Sequence, residues 1–218
     1  MADLLLVLNP RRIEECIQSY QELPIDRLWI RNMSELKITE RWPEVLEAAR
    51  GYERLIIVSD DAVVRPHALT AVQELLDEGH PVVTGYANLD MTDPRVNLNK
   101  APLGEQSVID EYDFYTLGEI MCWPEKTVPT TVVGFALTGA SYELWERFPF
   151  QAHLGSDWSF SKRVTGAGIP MVAAREAYIW HVKEVWNRTD TEPRKRLLVG
   201  EEPAAIEFER FKRRRKRV

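Results

Sequence analysis

The chain has 218 residues, of which 44% are hydrophobic and 28% charged, with 11 Gly and 13 Pro. This composition excludes a disordered, collagenous or membrane-embedded chain and suits one compact domain with a sizeable core. The formal charge of -6 is unevenly placed: residues 209–218 carry seven basic side chains and one acidic one, so a +6 tail follows a body of charge -12.

Residues 4–8 (LLLVL) are an unbroken aliphatic run closed by Asn9 and Pro10, the pattern of a strand buried on both faces and ended by a turn. Ile13, Cys16, Ile17 and Tyr20 then recur at helical spacing up to Pro24, and a second short strand is predicted over 27–30. This is a β-α-β opening. Trp42, Val45, Leu46 and Ala49 form another helical stripe ended by Gly51. Residues 54–58 (RLIIV) follow as the clearest buried strand, with Ser59, Asp60 and Asp61 at its carboxyl end.

Pro66 opens a helix predicted over 66–78, with Leu69, Val72, Leu75 and Leu76 on one face and Gly79 at its end. A strand is predicted over 81–86. From 88 to 129 the periodicity gives way to Pro, Asp and aromatic residues, which marks a partly structured excursion of the kind that walls a binding site. Beyond it the pattern predicts a strand over 132–137, a short helix over 142–147, a longer helix over 158–165 closed by Gly166 and Gly168, and strands over 170–173 and 177–180.

Alternating strands and helices predict an open α/β sheet with helices on both faces, and such sheets bind ligands beyond the carboxyl ends of their strands. That rule brings Asn9, Pro10, Arg11, Arg31, Asn32, Asp60 and Asp61 to one edge. Cys16 and Cys122 stand far apart with no C-x-x-C pair, so neither a disulfide framework nor a zinc site is expected. The run at 4–8 is too short for a signal-peptide core, is preceded by Asp3 rather than a basic segment, and no stretch is long enough to cross a bilayer; a reducing cytoplasm is the expected address.

Three features can carry chemistry. Adjacent strand residues point opposite ways, so one of Asp60 and Asp61 can meet a ribose or a loop amide while the other meets a hard cation such as Mg²⁺ or Mn²⁺; the alternative is that both only cap the helix at Pro66. Asp157, at the head of a helix in Gly155-Ser156-Asp157-Trp158, can accept a proton from a hydroxyl, with Trp158 as an apolar face beside it. Capping by Ser156 or Asp157 is the plainer alternative. His181, at the end of an apolar strand, can complete a metal site begun by a carboxylate, or it can be a structural histidine.

Two blocks place these features together. Residues 55–69 (LIIVSDDAVVRPHAL) resemble the strand, D-x-D element and downstream proline of the GT-A fold glycosyltransferases, closest in pattern to the inverting family 2. Residues 134–150 (GFALTGASYELWERFPF) and 155–182 (GSDWSFSKRVTGAGIPMVAAREAYIWHV) are similar to that family's acceptor-side block.

The resemblance, spanning about residues 4–182, implies a single GT-A-like (Rossmann-like) α/β domain over 1–207, with a central mostly parallel mixed sheet flanked by helices, and a separate tail over 208–218. It implies transfer of a sugar from a nucleoside-diphosphate sugar, with UDP the commonest donor base, to an acceptor hydroxyl with inversion and a divalent Mn²⁺ or Mg²⁺. Asp61 and His181 then match the metal ligands, Asp60 a ribose or donor-sugar contact, and Asp157 the catalytic base. Asn9, Pro10 and Arg11 match the nucleobase cradle, Arg31 and Asn32 lie beside it, and the turn Thr138-Gly139-Ala140 matches the floor under the donor sugar. Trp158 falls on the acceptor side. The pattern departs from the family at Ser59, where the first D-x-D aspartate stands, at Ser156, where an acid often precedes the base, and in a shorter opening loop.

The ending FERFKRRRKRV is expected to attract an anionic membrane surface or nucleic acid, unless it is simply a solvated terminus. A glycan, a lipid-linked carrier or nucleic acid are the acceptors to weigh, including hydroxylated bases in DNA. No aromatic side chain interrupts the basic run, so stacking on bases is not indicated there. A sugar nucleotidyltransferase would want a glycine-rich loop after the first strand, and residues 9–12 contain no glycine. A non-catalytic nucleic-acid-binding module is the remaining rival, and the acidic body opposes it.

Overall fold

The computed structural model describes residues 2–8, 13–31, 35–90, 93–101, 112–150, 156–185 and 195–199. Asn9, Pro10, Arg11, Asn32 and the basic tail lie outside them. The first half of the chain builds β1 (Asp3–Leu8), α1 (Glu14–Gln21), β2 (Arg27–Arg31), α2 (Glu35–Ala49), β3 (Arg54–Ser59), β4 (Ala62–Val63), α3 (Pro66–Asp77), β5 (Val82–Tyr86) and β6 (Arg95–Asn99). The second half adds β7 (Phe114–Thr116), α4 (Leu117–Met121), β8 (Thr127–Thr130), β9 (Thr138–Ser141), α5 (Tyr142–Arg147), α6 (Ser156–Gly166), β10 (Met171–Tyr178), β11 (Trp180–Val185) and β12 (Lys195–Val199).

The described residues form a seven-stranded sheet of order β2-β1-β3-β9-β5-β10-β8. β1 pairs in parallel with β2 and β3, and β5 with β10, while β9 runs antiparallel between β3 and β5, and β8 antiparallel on the outer edge. Five strands therefore end on the same edge. Every residue of β1 is buried, as its unbroken aliphatic run requires: Leu5 and Val7 enter the core under α1 and α3, and Leu4, Leu6 and Leu8 enter the core under α2, α5 and α6. The second core is aromatic, with Trp145 stacked on Phe160 at 4.4 Å between ring centroids and Trp42 edge-on to Phe150 at the same 4.4 Å.

Local signals explain the helix ends. Arg65 is extended ahead of Pro66, whose fixed φ suits the first turn, and α3 closes on Gly79 at φ 92°. Gly79 N donates to Leu76 O and His80 N to Leu75 O, each at 3.1 Å, the paired bonds of a Schellman ending that favours glycine at the left-handed position. α2 starts at Glu35, well before the stripe at Trp42, and carries Pro43 inside it, where a proline would ordinarily mark a first turn.

Three predicted strands are corrected. Residues 132–137 are buried but form no strand; β9 begins only at Thr138. Their polar backbone groups are spent elsewhere, Phe135 O accepting from Ser59 N at 2.6 Å and Leu137 O from Gly85 N at 2.7 Å. The two short strands expected over 170–180 are instead one long β10, which changes register between Ala173 and Tyr178, and the start of β11 in a separate three-stranded sheet of order β12-β11-β4. The excursion after residue 88 contains the antiparallel pair β6 and β7, helix α4 and edge strand β8.

At the opposite edge of the sheet the Arg54 side chain is buried against Asp3, donating Nε to Oδ1 at 2.5 Å and Nη2 to Oδ2 at 2.9 Å, while Nη1 reaches Asp77 Oδ1 at 2.6 Å. Asp3 also accepts from Gln73 Nε2 at 2.6 Å. Arg54→Met leaves the Asp3 carboxylate buried without its charged partner, and is expected to lose about 3 kcal/mol of stability, since breaking a buried pair from one side is the costly case. For a chain of this size that is a fall of roughly 6–12 °C in melting temperature, measurable by calorimetry.

Candidate active site

The strand register aligns Arg31, Leu8 and Ser59 in one row at the carboxyl edge. With neighbouring strands about 4.8 Å apart, the backbone of Arg31 lies about 10 Å from that of Ser59. After Ser59 the chain turns through Asp60 and Asp61 into β4. Asp60 is buried, whereas Asp61 keeps part of its carboxylate exposed.

His181 reaches this turn because β11 pairs antiparallel with β4, placing His181 opposite Ala62. Val182 N donates to Asp61 O at 2.7 Å, which locks the two segments together. The result is a direct contact of 2.7 Å between His181 Nε2 and Asp61 Oδ2, and the other oxygen, Oδ1, accepts from Ser59 Oγ at 2.8 Å. Ser59 stands where the resembled family has an acid, and its hydroxyl orients the neighbouring carboxylate. The second imidazole nitrogen, Nδ1, faces Asn88 O at 3.4 Å. Asn88 is buried and held in turn by the Tyr178 hydroxyl, which donates to its Oδ1 at 2.6 Å.

One carboxylate and one imidazole suit Mn²⁺; a carbonyl opposite Nδ1 can hold a proton there, and Nε2, which carries the hydrogen of its contact with Asp61, would give that proton up in order to ligate. Among the described residues no group of three or more His, Cys, Asp and Glu side chains is arranged to hold a metal ion. A hard cation held by so few protein groups takes its other ligands from water and from phosphate oxygens.

Asp157 sits in the first turn of α6, partly buried, with Trp158 N donating to its Oδ1 at 2.7 Å. Burial pushes this carboxyl above the ordinary aspartate range, against the opposing pull of the backbone amides. Tyr112 lies near enough to feel the Asp157 charge, which adds to burial in raising its phenol. Lys162 Nζ stands 5.3 Å from the centroid of the Trp158 ring. The helix is tied to the turn at Asp60 and Asp61 through one segment: Ser161 Oγ accepts from Val133 N at 3.0 Å, and Phe135 O accepts from Ser59 N.

The structure thus brings Asp61, His181 and Ser59 into contact at the carboxyl edge; Asp157 stands one helical turn before Ser161, whose bond to Val133 joins α6 to the segment that reaches Ser59. Arg31 is exposed at that edge, its guanidinium 4.3 Å above the Trp29 ring. Thr138-Gly139-Ala140 is a strand and not a turn: Gly139 pairs with Ile56 and Val83, well below the edge, and a Cβ there would come within 2.8 Å of Leu76 Cδ1. The missing side chain at Gly139 lets α3 approach the sheet closely, whereas Ala140 packs in the core on the other face. Asn88 and Ser161 carry no local signal in the sequence, because each acts through a group distant in the chain.

No protein-family model matches this chain, and no curated protein matches its sequence. Solved structures share its fold. A197 from STIV superposes with a TM-score of 0.56 at 18% identity, over 93% of this chain and 96% of that one. GalNAc-T7, solved with UDP, GalNAc and Mn²⁺, superposes with a TM-score of 0.50 at 8% identity; the match covers 83% of this chain and 43% of that one. TarS 1-349 of S. aureus gives 0.49 at 11% identity, over 82% and 59%. The chain is an α/β domain of the GT-A-like, Rossmann-like class, its mixed, mostly parallel sheet flanked by helices. No helix among the described residues is long and apolar enough to cross a membrane.

Proposed function

We propose that this chain is a nucleotide-sugar-dependent glycosyltransferase, resembling the inverting family 2, that moves a sugar from a nucleoside-diphosphate donor, UDP-linked in the first instance, to an acceptor hydroxyl. The observation that carries this reading is the contact between Asp61 and His181 at the carboxyl edge of the sheet, made by segments far apart in sequence. The GT-A-like fold and the presence of UDP and Mn²⁺ in GalNAc-T7 support it.

A bound Mn²⁺ or Mg²⁺ supplies Lewis-acid stabilisation of the diphosphate leaving group. Asp61 and His181 Nε2 are the residues assigned to hold it, with Ser59 and Asn88 keeping each in orientation. Asp60 is assigned to the donor ribose or sugar, and Asn9, Pro10, Arg11, Arg31 and Asn32 to the nucleobase. Trp158 offers the acceptor a ring to rest on. Asp157 Oδ1 is engaged by its own helix, so Oδ2 is the atom assigned to take the acceptor proton. As that O–H bond breaks, the acceptor oxygen bonds to the anomeric carbon from the face opposite the leaving phosphate, whose bond to carbon breaks, and the configuration inverts.

A melting-temperature screen of nucleoside diphosphates tests the reading. A diphosphate at 100 times its dissociation constant with Mn²⁺ present stabilises the folded state by about 2.7 kcal/mol, or roughly 5–10 °C here, and chelation with EDTA removes the shift. No shift with any nucleoside diphosphate, and no hydrolysis of any nucleotide sugar, overturns it.

A further inference from the structure

We infer that Tyr20, on α1, is a positioning residue for this site, its hydroxyl setting the path of the turn that carries Asp60 and Asp61. The inference rests on the reading of Asp61 as a metal ligand. Tyr20 is 1% exposed, and its single hydroxyl hydrogen is shared between Ser59 O at 2.8 Å and Ala62 O at 2.5 Å from the phenol oxygen. One phenol thus bridges the first and last carbonyls of the four-residue turn from Ser59 to Ala62. The preceding residue assists, since Ser19 Oγ accepts from Val64 N at 3.2 Å just beyond the turn.

The turn's backbone is otherwise held by Ser59 N to Phe135 O at 2.6 Å and by Val182 N to Asp61 O at 2.7 Å. Those bonds tie the turn to the sheet and to β11. Only the Tyr20 hydroxyl, among the contacts described, links its two ends to each other, and so fixes where Asp61 projects. Burial first, then the neighbouring Cys16 side chain and the charges of Asp61 and Asp60, raise the phenol, which stays protonated and therefore a donor. Losing it removes the hydrogen that the two carbonyls share, and the turn is expected to relax toward other donors.

Tyr20→Phe keeps the ring in the core and removes only the hydroxyl. Tyr115→Phe is the matched control: it also loses a phenol bond to a backbone carbonyl, Pro129 O at 3.0 Å, and that bond involves no residue of the turn. Mn²⁺ titration by electron paramagnetic resonance in the presence of UDP, run on the full chain, is expected to show affinity falling about tenfold in Tyr20→Phe and unchanged in Tyr115→Phe. Hydrogen exchange is expected to quicken at amides 60–64 in the first variant alone. Unchanged exchange there overturns the inference whatever the metal result. Quickened exchange with wild-type Mn²⁺ affinity overturns the positioning role and leaves a structural one. If the unaltered protein binds no Mn²⁺, the metal reading itself fails and takes the inference with it, an outcome recognised because wild type and both variants behave alike.

Discussion

Asp157→Asn is expected to lower turnover about 10³-fold while nucleoside-diphosphate affinity stays within about twofold of the original, because a positioned general base contributes about 10²–10⁴. The amide is isosteric and its oxygen can still accept from Trp158 N, so the head of α6 is preserved and the proton acceptor alone is lost. The same substitution has a pH signature. Burial raises the Asp157 carboxyl above the ordinary range, so the ionised base is formed only as pH climbs through that raised value, and the acid limb of kcat/KM lies higher than an exposed aspartate would place it. The stability effect runs the other way. The folded state holds this proton more tightly than the unfolded state, so stability falls as pH rises from the ordinary aspartate range through the raised value. Asp157→Asn removes both the limb and that slope. Near-normal turnover in the variant, read by coupled release of the nucleoside diphosphate, would falsify the assignment of the base.

Asp61→Ala and His181→Ala are each expected to weaken Mn²⁺-dependent UDP binding by about 100-fold or more, measured calorimetrically with and without EDTA, because either change leaves a single protein ligand. The two losses are also expected to be far from additive: the double variant binds about as poorly as either single one, as residues of one unit behave. The scaffold survives these changes, since β4 and β11 are joined by backbone pairing and by Val182 N to Asp61 O. Unchanged Mn²⁺-dependent affinity in either single variant refutes the metal role.

What could be read from sequence divides along physical lines. The strand at RLIIV and the helix opened by Pro66 and closed by Gly79 are written locally, in unbroken aliphatics and in residues with restricted or unusual backbone freedom. Residues 132–137 look like a strand because burial alone produces an apolar run, yet their carbonyls serve Ser59 and Gly85. Thr138-Gly139-Ala140 looks like a turn because small residues favour turns, whereas Gly139 is small to admit Leu76. β4 is two residues long and carries no periodicity, so its pairing with β11, which delivers His181 to Asp61, left no trace in the local pattern. Tyr20 reads as one apolar position in a helical stripe; nothing near it in the chain announces that its hydroxyl meets Ser59 and Ala62. The candidate residues were legible chiefly as polar punctuation after apolar strands, and their grouping as a resemblance.

The pairing of β4 with β11 joins positions separated by more than half the chain. A nascent polypeptide can fold β1, α1, β2 and β3 from local and near-local contacts long before Trp180–Val185 exists to meet them. Asp61 therefore has no histidine partner until synthesis is well past the midpoint, and a chain arrested or clipped before residue 180 keeps its acidic turn but no paired ligand. The contact between His181 and Asp61 therefore reports completed assembly, since only a chain whose β11 has paired with β4 can make it.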